Sequence, residues 1–234
     1  MTDYRALHAY GATDAPVYDA RRFASLRGKL IDHLEWRLLD RAAVVLAASV
    51  GPVASIVDVP IGTGRMARRI RVHGCHVLGA DASADMLAVA RDNDSADEYV
   101  VARVETLSEA VPQVECVVSV RLFGHLPNDA KALALQEFRA IATKGALVFF
   151  AADSPWLSLR RVIQGLRGRN FECWSPVTTK EARRLAEEAG FLVLGVRGLL
   201  GPFSETHVMI LATPDAEASR FAMTATGRAW GGTR

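Results

Sequence analysis

Short apolar runs alternate with amphipathic runs along this chain, from about residue 18 to residue 212. The apolar runs have the length of buried strands, and the runs between them have the three- and four-residue spacing of helices. Parallel strands need such a crossover, because each strand must start again at the same edge of the sheet. The sequence therefore predicts an α/β protein with a mostly parallel sheet and helices on both faces.

The pattern predicts seven strands. They are residues 54–59, 76–81, 98–105, 114–120, 146–153, 191–196 and 207–212. The last two are joined without room for a crossover helix, so the last strand is predicted to be antiparallel. Ser83 and Thr178 are placed to cap the helices that follow them, and another helix is predicted to start near Asn128.

A long helix is predicted before the first strand, from Tyr18 to about Ser49, with an interruption near Gly28. Its apolar stripe is predicted from residues at three- and four-residue spacing. These are Phe23, Leu26, Leu30, Leu34 and Leu38.

Composition narrows the class of partner. Among 234 residues, 28 Lys and Arg face 26 Asp and Glu, so the net charge of +2 gives no large field to attract nucleic acid. The three cysteines are scattered, with no metal-binding spacing, which favours a reducing cytoplasm and predicts no metal. No apolar run reaches the roughly 18 residues of a membrane span, so no membrane partner is expected.

The turn after the first strand reads Asp-Val-Pro-Ile-Gly-Thr-Gly, from Asp58 to Gly64. An acid ends a buried strand and glycines precede a helix, so a ligand can approach the bare backbone at the carboxyl edge of the sheet. Gly62, Gly64 and Ala67 also fit G-x-G-x-x-A, the dinucleotide fingerprint, and Asp81 ends the second strand where a ribose-binding acid belongs.

The acid inside this turn separates two cofactors. A dinucleotide pyrophosphate would meet the negative charge of Asp58, whereas a cationic sulfonium with an amino-acid tail would tolerate it. The charge favours S-adenosylmethionine, and a nicotinamide-dependent oxidoreductase stays as the alternative enzyme.

The stretch DVPIGTGR resembles the first motif, acid-x-Gly-x-Gly-x-Gly, of the class I S-adenosylmethionine-dependent methyltransferases, with Pro60 in place of the first glycine. The resemblance runs from about Tyr18 to Ala212, through HVLGADASADMLAVAR, VVSVRLFGHL and EEAGFLVLGV. It implies a Rossmann-like seven-stranded sheet and S-adenosylmethionine as cofactor, with S-adenosylhomocysteine as product. It also implies an N-terminal helical lid over residues 1–52, a core over 53–212 with a cap insertion at 154–177, and a C-terminal tail at 213–234.

The resemblance also implies where the cofactor binds. The methionine portion would lie at the turn, the ribose hydroxyls on Asp81, and the adenine by Val104 and Glu105, because Arg103 stands where the family often has an acid. The implied cofactor-binding residues are Tyr18, Asp58, Pro60, Gly62, Gly64, Asp81, Ala82, Met86, Val104, Glu105 and Arg121.

After the fourth strand, His125 is the candidate general base, because an imidazole titrates near neutrality. The other interpretation is that it packs or caps a helix. Its Gly-His-Leu setting is similar to small-molecule methyltransferases, which implies transfer to oxygen or nitrogen of a small molecule, in secondary metabolism. Asp153 and Trp156 are expected to shape the acceptor pocket.

Motifs of other methyltransferases are missing from the sequence. No Asn/Asp-Pro-Pro-Tyr/Phe follows the fourth strand, which argues against nucleic-acid bases as acceptors, and Asp153 lacks the Asp-Asn metal pair of catechol-type enzymes. A third hypothesis is a catalytically inactive methyltransferase-like partner protein, suggested by Pro60 and Arg103. The acceptor's identity and the formation of a homodimer are not fixed by the sequence.

Overall fold

Helices and strands alternate along the computed structural model, which describes residues 24–153, 157, 175–201, 204–217 and 229–230. The strands are β1 (Ser55–Asp58), β2 (His76–Asp81), β3 (Glu98–Val101), β4 (Val114–Ser119), β5 (Ala142–Ala151), β6 (Leu192–Gly198) and β7 (Thr206–Ala212). The helices are α1 (Leu26–Val50), α2 (Arg65–Val72), α3 (Ala84–Asp92), α4 (Leu107–Ala110), α5 (Asn128–Ile141), α6 (Thr179–Glu188) and α7 (Pro214–Glu217), and a 3-10 helix covers Val104–Thr106.

The seven strands form one sheet in the order β3-β2-β1-β4-β5-β7-β6. Only β7 runs against its neighbours β5 and β6, and the other described pairs are parallel. The predicted sheet, with its last strand antiparallel, is therefore confirmed. Strand order reverses at β1, which lies between β2 and β4, and ligands of open α/β sheets bind at such a reversal beyond the carboxyl ends of the strands.

Helices cover both faces of this sheet, as predicted. One apolar layer joins α5 and α6 to the sheet, and the other joins α1, α2 and α3 to it. Trp230 also lies in the second layer, where it is buried and pairs with Val53 ahead of β1. Two predicted caps are present, since Ser83 accepts from the Met86 N–H and Thr178 from the Glu181 N–H.

Helix α1 differs from its prediction. Ser25 caps it, accepting from the Gly28 N–H at 3.0 Å, and the helix continues without the interruption expected there. Leu26 is 87% and Leu30 57% exposed, whereas Leu38 is buried. At about 100° per residue a strict four-residue repeat drifts about 40° at each step, so Leu26 lies about 120° around the helix from Leu38. The predicted stripe was therefore wrong at its first members; Phe23 lies outside the described residues.

Two predicted strand boundaries also move. The strand predicted over 98–105 ends at Val101: the Ala102 N–H still bonds the Asp81 carbonyl at 3.0 Å, and the 3-10 helix then begins at Val104. The strand predicted to begin at 146 begins at Ala142, directly after α5, where it pairs with Val114 ahead of a register shift.

Candidate cofactor-binding site

The turn after β1 is tied to the strands on both sides of it. The Val59 N–H donates to the Val118 carbonyl of β4, and the Ile61 N–H donates to the Ala80 carbonyl of β2, each at 2.9 Å. Pro60, half-buried, stands between these two donors, and the Val59–Pro60 peptide bond is cis. The turn is thereby held over the carboxyl edge at the strand-order reversal.

The two glycines of the turn serve different purposes. Gly64 has φ +82°, and a Cβ added there would lie 2.0 Å from the Ser95 hydroxyl, so the start of α2 can pack closely on the segment after α3. Gly62 has φ +57°, but a Cβ there would meet nothing within 4 Å. Gly62 therefore borders open space that a ligand can enter, whereas Gly64 has a packing role that the sequence did not reveal.

Asp81 ends β2 and faces this turn. Its Oδ2 accepts from the Gly62 N–H and its Oδ1 from the Ser83 N–H, each at 2.9 Å. Burial raises the pKa of this carboxyl, and the backbone donors oppose the rise. Each carboxylate oxygen can accept a further hydrogen bond, so the group suits a pair of vicinal hydroxyls.

Asp58 ends β1 and is only 2% exposed. Burial raises its pKa to about 7, against the opposing effects of the Arg65 charge and of the Ala67 N–H, while the charge of Asp81 adds to the rise. The hydrogen bond from Ala67 joins Asp58 to the first turn of α2, which is a structural role as well. Near neutral pH such a group is half ionised, and a cationic ligand would favour its charged form.

A third carboxylate lies beyond β3. Neither oxygen of the partly buried Glu105 accepts a hydrogen bond from the part of the chain that the structure describes, and Arg103 holds its Nε 3.4 Å from Oε2. An orphaned, buried acceptor of this kind fits an amino group of a bound ligand, such as that of adenine. The buried Val104 lies beside it. Arg103, unexpected at this position, thus has a partner.

Arg121 follows β4 on the other side of β1 and has φ +66°, which is uncommon for a residue with a side chain. Its guanidinium donates to the carboxylate of Glu35, from Nη2 to Oε1 at 2.6 Å and from Nε to Oε2 at 3.2 Å. Arg65, the first residue of α2, donates to the same carboxylate from Nη2 at 2.9 Å. The sequence did not single out Glu35 or Arg65; the only signal was an acid on an otherwise apolar helix face.

His125 lies half-buried in the loop between β4 and α5. Its backbone N–H donates to the Leu122 carbonyl at 2.9 Å, and the Gly124 carbonyl accepts from the Ser175 backbone N–H at 2.8 Å. Asp153 is exposed just after β5, and its N–H donates to the Val177 carbonyl at 2.9 Å. The candidate base and the last residues of the predicted cap, Ser175 and Val177, therefore share one end of the sheet.

A buried lysine holds this loop in place, and sequence reasoning missed it. Lys131 lies in the first turn of α5 and donates from Nζ to the Asn128 side chain at 3.1 Å, to the Ser175 carbonyl at 2.6 Å and to the Ser175 hydroxyl at 2.9 Å. Burial lowers its pKa to about 8. An ammonium has three donors, so each finds an oxygen here.

The structure thus places the predicted residues in a row along the carboxyl edge. Glu105 follows β3, Asp81 ends β2, Asp58 ends β1 and Arg121 follows β4. The turn contacts Asp81 directly, Ala82 (exposed) precedes the Ser83 cap of α3, and Met86 (buried) lies in the first turn of that helix. Tyr18 and Trp156 lie outside the described residues.

Comparison with known proteins identifies the family of this chain. A family model described as a methyltransferase domain matches residues 56–145. A malonyl-[acyl-carrier protein] O-methyltransferase from Enterobacter lignolyticus is 31% identical over 214 residues, covering 87% of this chain and 77% of that protein. The chain belongs to the class I S-adenosylmethionine-dependent methyltransferases.

Solved structures agree on the fold of this methyltransferase. Magnesium protoporphyrin IX methyltransferase from Synechocystis PCC 6803, with bound S-adenosylhomocysteine, aligns with a TM-score of 0.73 at 14% identity, covering 89% of this chain and 98% of that one. A TehB-like methyltransferase from Corynebacterium glutamicum aligns with a TM-score of 0.54 at 21% identity, covering 74% and 86%.

The predicted cofactor, S-adenosylmethionine, is confirmed for the methyltransferase, which leaves the nicotinamide alternative without support. The residues on the carboxyl edge fit it: an orphaned acceptor for an amino group, an acid for hydroxyls, and a buried acid for a cationic tail. The assignment of each residue to a part of the cofactor stays a prediction. No described helix is both long and apolar enough to cross a membrane.

Proposed function

We propose that this methyltransferase transfers the methyl group to an oxygen or nitrogen of a small molecule, in cytoplasmic secondary metabolism. The observation that carries the proposal is the half-buried His125, which lies in the same loop after β4 as Arg121, at the carboxyl edge of the sheet. An imidazole is useful there if the acceptor arrives as a protonated hydroxyl or ammonium group, since a base must then remove the proton.

The bound cofactor supplies an electrophilic methyl group on a sulfonium, and the chain supplies placement and a proton acceptor. Glu105, Asp81 and Asp58 would hold the adenine, ribose and methionine parts, which fixes the position of the methyl group. The His125 imidazole would accept the proton from the attacking oxygen or nitrogen while a lone pair of that atom forms the new bond to the methyl carbon. The bond from this carbon to the sulfonium sulfur would break at the same time, leaving S-adenosylhomocysteine. Much of the acceleration in such an in-line displacement comes from holding the reactants at attack distance away from water.

The proposal also assigns roles to the segment before the methyltransferase core and to the segment inserted in it. Residues 1–52 would cover the cofactor and residues 154–177 would cap the acceptor. Two contacts support it: Glu35 of α1 reaches Arg121 at the carboxyl edge, and Ser175 binds the Gly124 carbonyl in the loop of the candidate base. Glu35 and Ser175 therefore each contact the loop after β4 that holds the candidate base.

A second candidate acceptor is a carboxylate, as in the malonyl group named for the Enterobacter relative, which is 31% identical over 214 residues. A carboxylate is already ionised near neutral pH and needs no base, but a guanidinium would bind it well. Arg121 lies in the same loop as His125. The two candidates therefore differ in what they require of the imidazole.

The test is release of S-adenosylhomocysteine by the purified protein with panels of phenols, amines and carboxylic acids, and with malonyl-acyl carrier protein. His125→Ala is compared with His76→Ala, a control at the exposed start of β2. We expect turnover with a phenol or amine, a large fall in kcat for His125→Ala with unchanged cofactor binding, and no change for His76→Ala.

Turnover of carboxylates alone, insensitive to His125→Ala, would select the second candidate. Turnover that stays equal across pH in wild type and His125→Ala would mean that the imidazole only packs. Release of S-adenosylhomocysteine only with a nucleic acid would contradict the small-molecule proposal.

A further inference from the structure

Helix α1 contributes a buried acid to the cofactor edge. Glu35 is 2% exposed, although its neighbours on the buried face of α1 are apolar. Its two oxygens accept from Arg65 at 2.9 Å and from Arg121 at 2.6 and 3.2 Å. One carboxylate thus joins three separate elements, namely α1, the start of α2 and the segment after β4.

A charge buried at this depth is costly unless it is paired and hydrogen-bonded, and the two arginines supply that pairing to Glu35. Asp32, one turn earlier on α1, also pairs with Arg65 and with Arg69. Its salt bridges include no contact with Arg121 among the described residues. The two acids therefore share one arginine but differ in the other.

We propose that Glu35 is a positioning residue of the cofactor site, whose carboxylate fixes the guanidinium groups of Arg65 and Arg121 beyond the carboxyl ends of β1 and β4. This inference rests on the cofactor roles proposed above for Asp58 and Arg121. Asp58 ends β1, Arg65 begins the helix that follows it, and Arg121 follows the neighbouring β4. The methionine part of the cofactor would bind at this edge of the sheet, by Asp58 and the turn after β1.

The fork geometry makes this pairing specific. Arg121 presents both Nε and Nη2 to Glu35, which orients the planar guanidinium in a way that a single contact would not. The left-handed backbone at Arg121 persists only where its surroundings hold it, and the Glu35 pair is one such restraint. Loss of the carboxylate should release the Arg121 side chain and weaken cofactor binding.

Glu35 also acts on Asp58 through Arg65. The positive charge of Arg65 lowers the pKa of Asp58, whereas burial and Asp81 raise it. Glu35 and Asp32 offset part of the Arg65 charge by pairing with it. Removing either negative charge should therefore move the ionisation of Asp58, and the pH midpoint of cofactor binding, to lower pH.

The experiment is calorimetric titration with S-adenosylhomocysteine between about pH 6 and pH 8.5, a range that spans the pKa of about 7 at Asp58. The variants are Glu35→Gln, Asp32→Asn and Glu115→Gln. Glu115, near the start of β4, is a matched control, because it is a partly buried glutamate whose carboxylate pairs with Lys144. Thermal melting shows whether each variant is folded.

We expect Glu35→Gln to weaken binding about tenfold or more at the high end of the range, as for loss of a hydrogen-bonded charge, and to lower the pH midpoint. Asp32→Asn should lower the midpoint but bind within about twofold of wild type at high pH, because Arg121 keeps its partner. Glu115→Gln should change melting alone. Wild-type affinity and midpoint in a folded Glu35→Gln would overturn the inference, whereas failure of the wild type to bind would instead overturn the proposed cofactor site.

A second variant covers the case in which Glu35→Gln does not fold. The double variant Glu35→Gln/Arg121→Gln removes both charges of the pair, and it is compared with Arg121→Gln alone. If Glu35 acts through Arg121, the double variant should bind S-adenosylhomocysteine within about threefold of Arg121→Gln, since the two losses then overlap. A double variant that binds more than about threefold more weakly than Arg121→Gln would overturn the positioning role.

Discussion

Asp58 should make cofactor binding depend on pH near neutrality, because burial raises its pKa into that range. Burial raises its pKa from 3.8 to about 7. At about 1.4 kcal/mol per pH unit, ionising Asp58 in the folded, cofactor-free protein costs about 4 kcal/mol more than ionising it in the unfolded chain. The side chain is 2% exposed, so screening by water reduces this little.

The sign follows from which state holds the proton. Between about pH 4 and pH 7 the folded protein keeps a proton on Asp58 that the unfolded chain has released, so folding stability falls as pH rises through this window. A cationic amino-acid tail prefers the ionised carboxylate. Its affinity should therefore rise with pH and level off above about 7.

The assay is calorimetric titration with S-adenosylhomocysteine for wild type and Asp58→Asn at each pH. From about pH 8 to about pH 6 the wild-type affinity should fall about tenfold more than that of Asp58→Asn, because the ionised fraction of a group with pKa near 7 falls by that factor. Comparing the two proteins removes the titration of the ligand's own amino group. Asp97→Asn is a matched control. The Asp97 carboxylate accepts hydrogen bonds from the Arg71 side chain and from the Val77 N–H, at the opposite end of β2 from Asp81.

Parallel pH profiles for wild type and Asp58→Asn would refute the reasoning, because they would mean that the Asp58 carboxylate does not sense the ligand's charge. A profile that flattens equally in Asp97→Asn would show instead that a general change in charge is responsible.

The remaining predictions concern other parts of the site. Asp81→Ala should weaken binding of S-adenosylhomocysteine at least about tenfold in calorimetry, as expected for a lost charged acceptor; unchanged affinity would remove it from the site. Gly64→Ala should lower the melting temperature more than Gly62→Ala, because both have positive φ but only the Gly64 Cβ would clash, at 2.0 Å from Ser95; equal melting temperatures would contradict the packing argument. Lys131→Met should raise the acceptor KM while leaving cofactor affinity within about twofold, since its three bonds lie beyond the cofactor row; an equal change in both would contradict this.

The fold was predictable because its signals are local. Strand and helix alternation, the Ser83 and Thr178 caps and the glycine turn each depend on a few consecutive residues, and each is present in the structure. The boundary errors arose where tertiary pairing decides, as at Ala142, which joins β5 because Val114 lies beside it. The drift of the α1 stripe is likewise set by which turns of the helix meet the sheet.

The site was predictable only as far as its motif reaches. Asp58 and Asp81 follow directly from strand ends, but Glu35 lies 30 residues from Arg65 and 86 from Arg121, and no spacing rule links them. The same is true of Lys131, because its partner Ser175 lies 44 residues away. Buried charges on apolar helix faces were the only available signal, and a single sequence does not say what they pair with.

The structure explains both departures from the family pattern, Pro60 and Arg103. Proline lacks an N–H, but the ladder bonds of the turn come from Val59 and Ile61 on either side of Pro60, which donate to β4 and β2. Arg103 places its Nε 3.4 Å from Glu105, so it adds a charge partner to the third acid without using the acceptor capacity of its oxygens. Pro60 removes no bond of the turn, and Glu105 supplies an acid close after Arg103, so neither departure supports the hypothesis of an inactive partner protein.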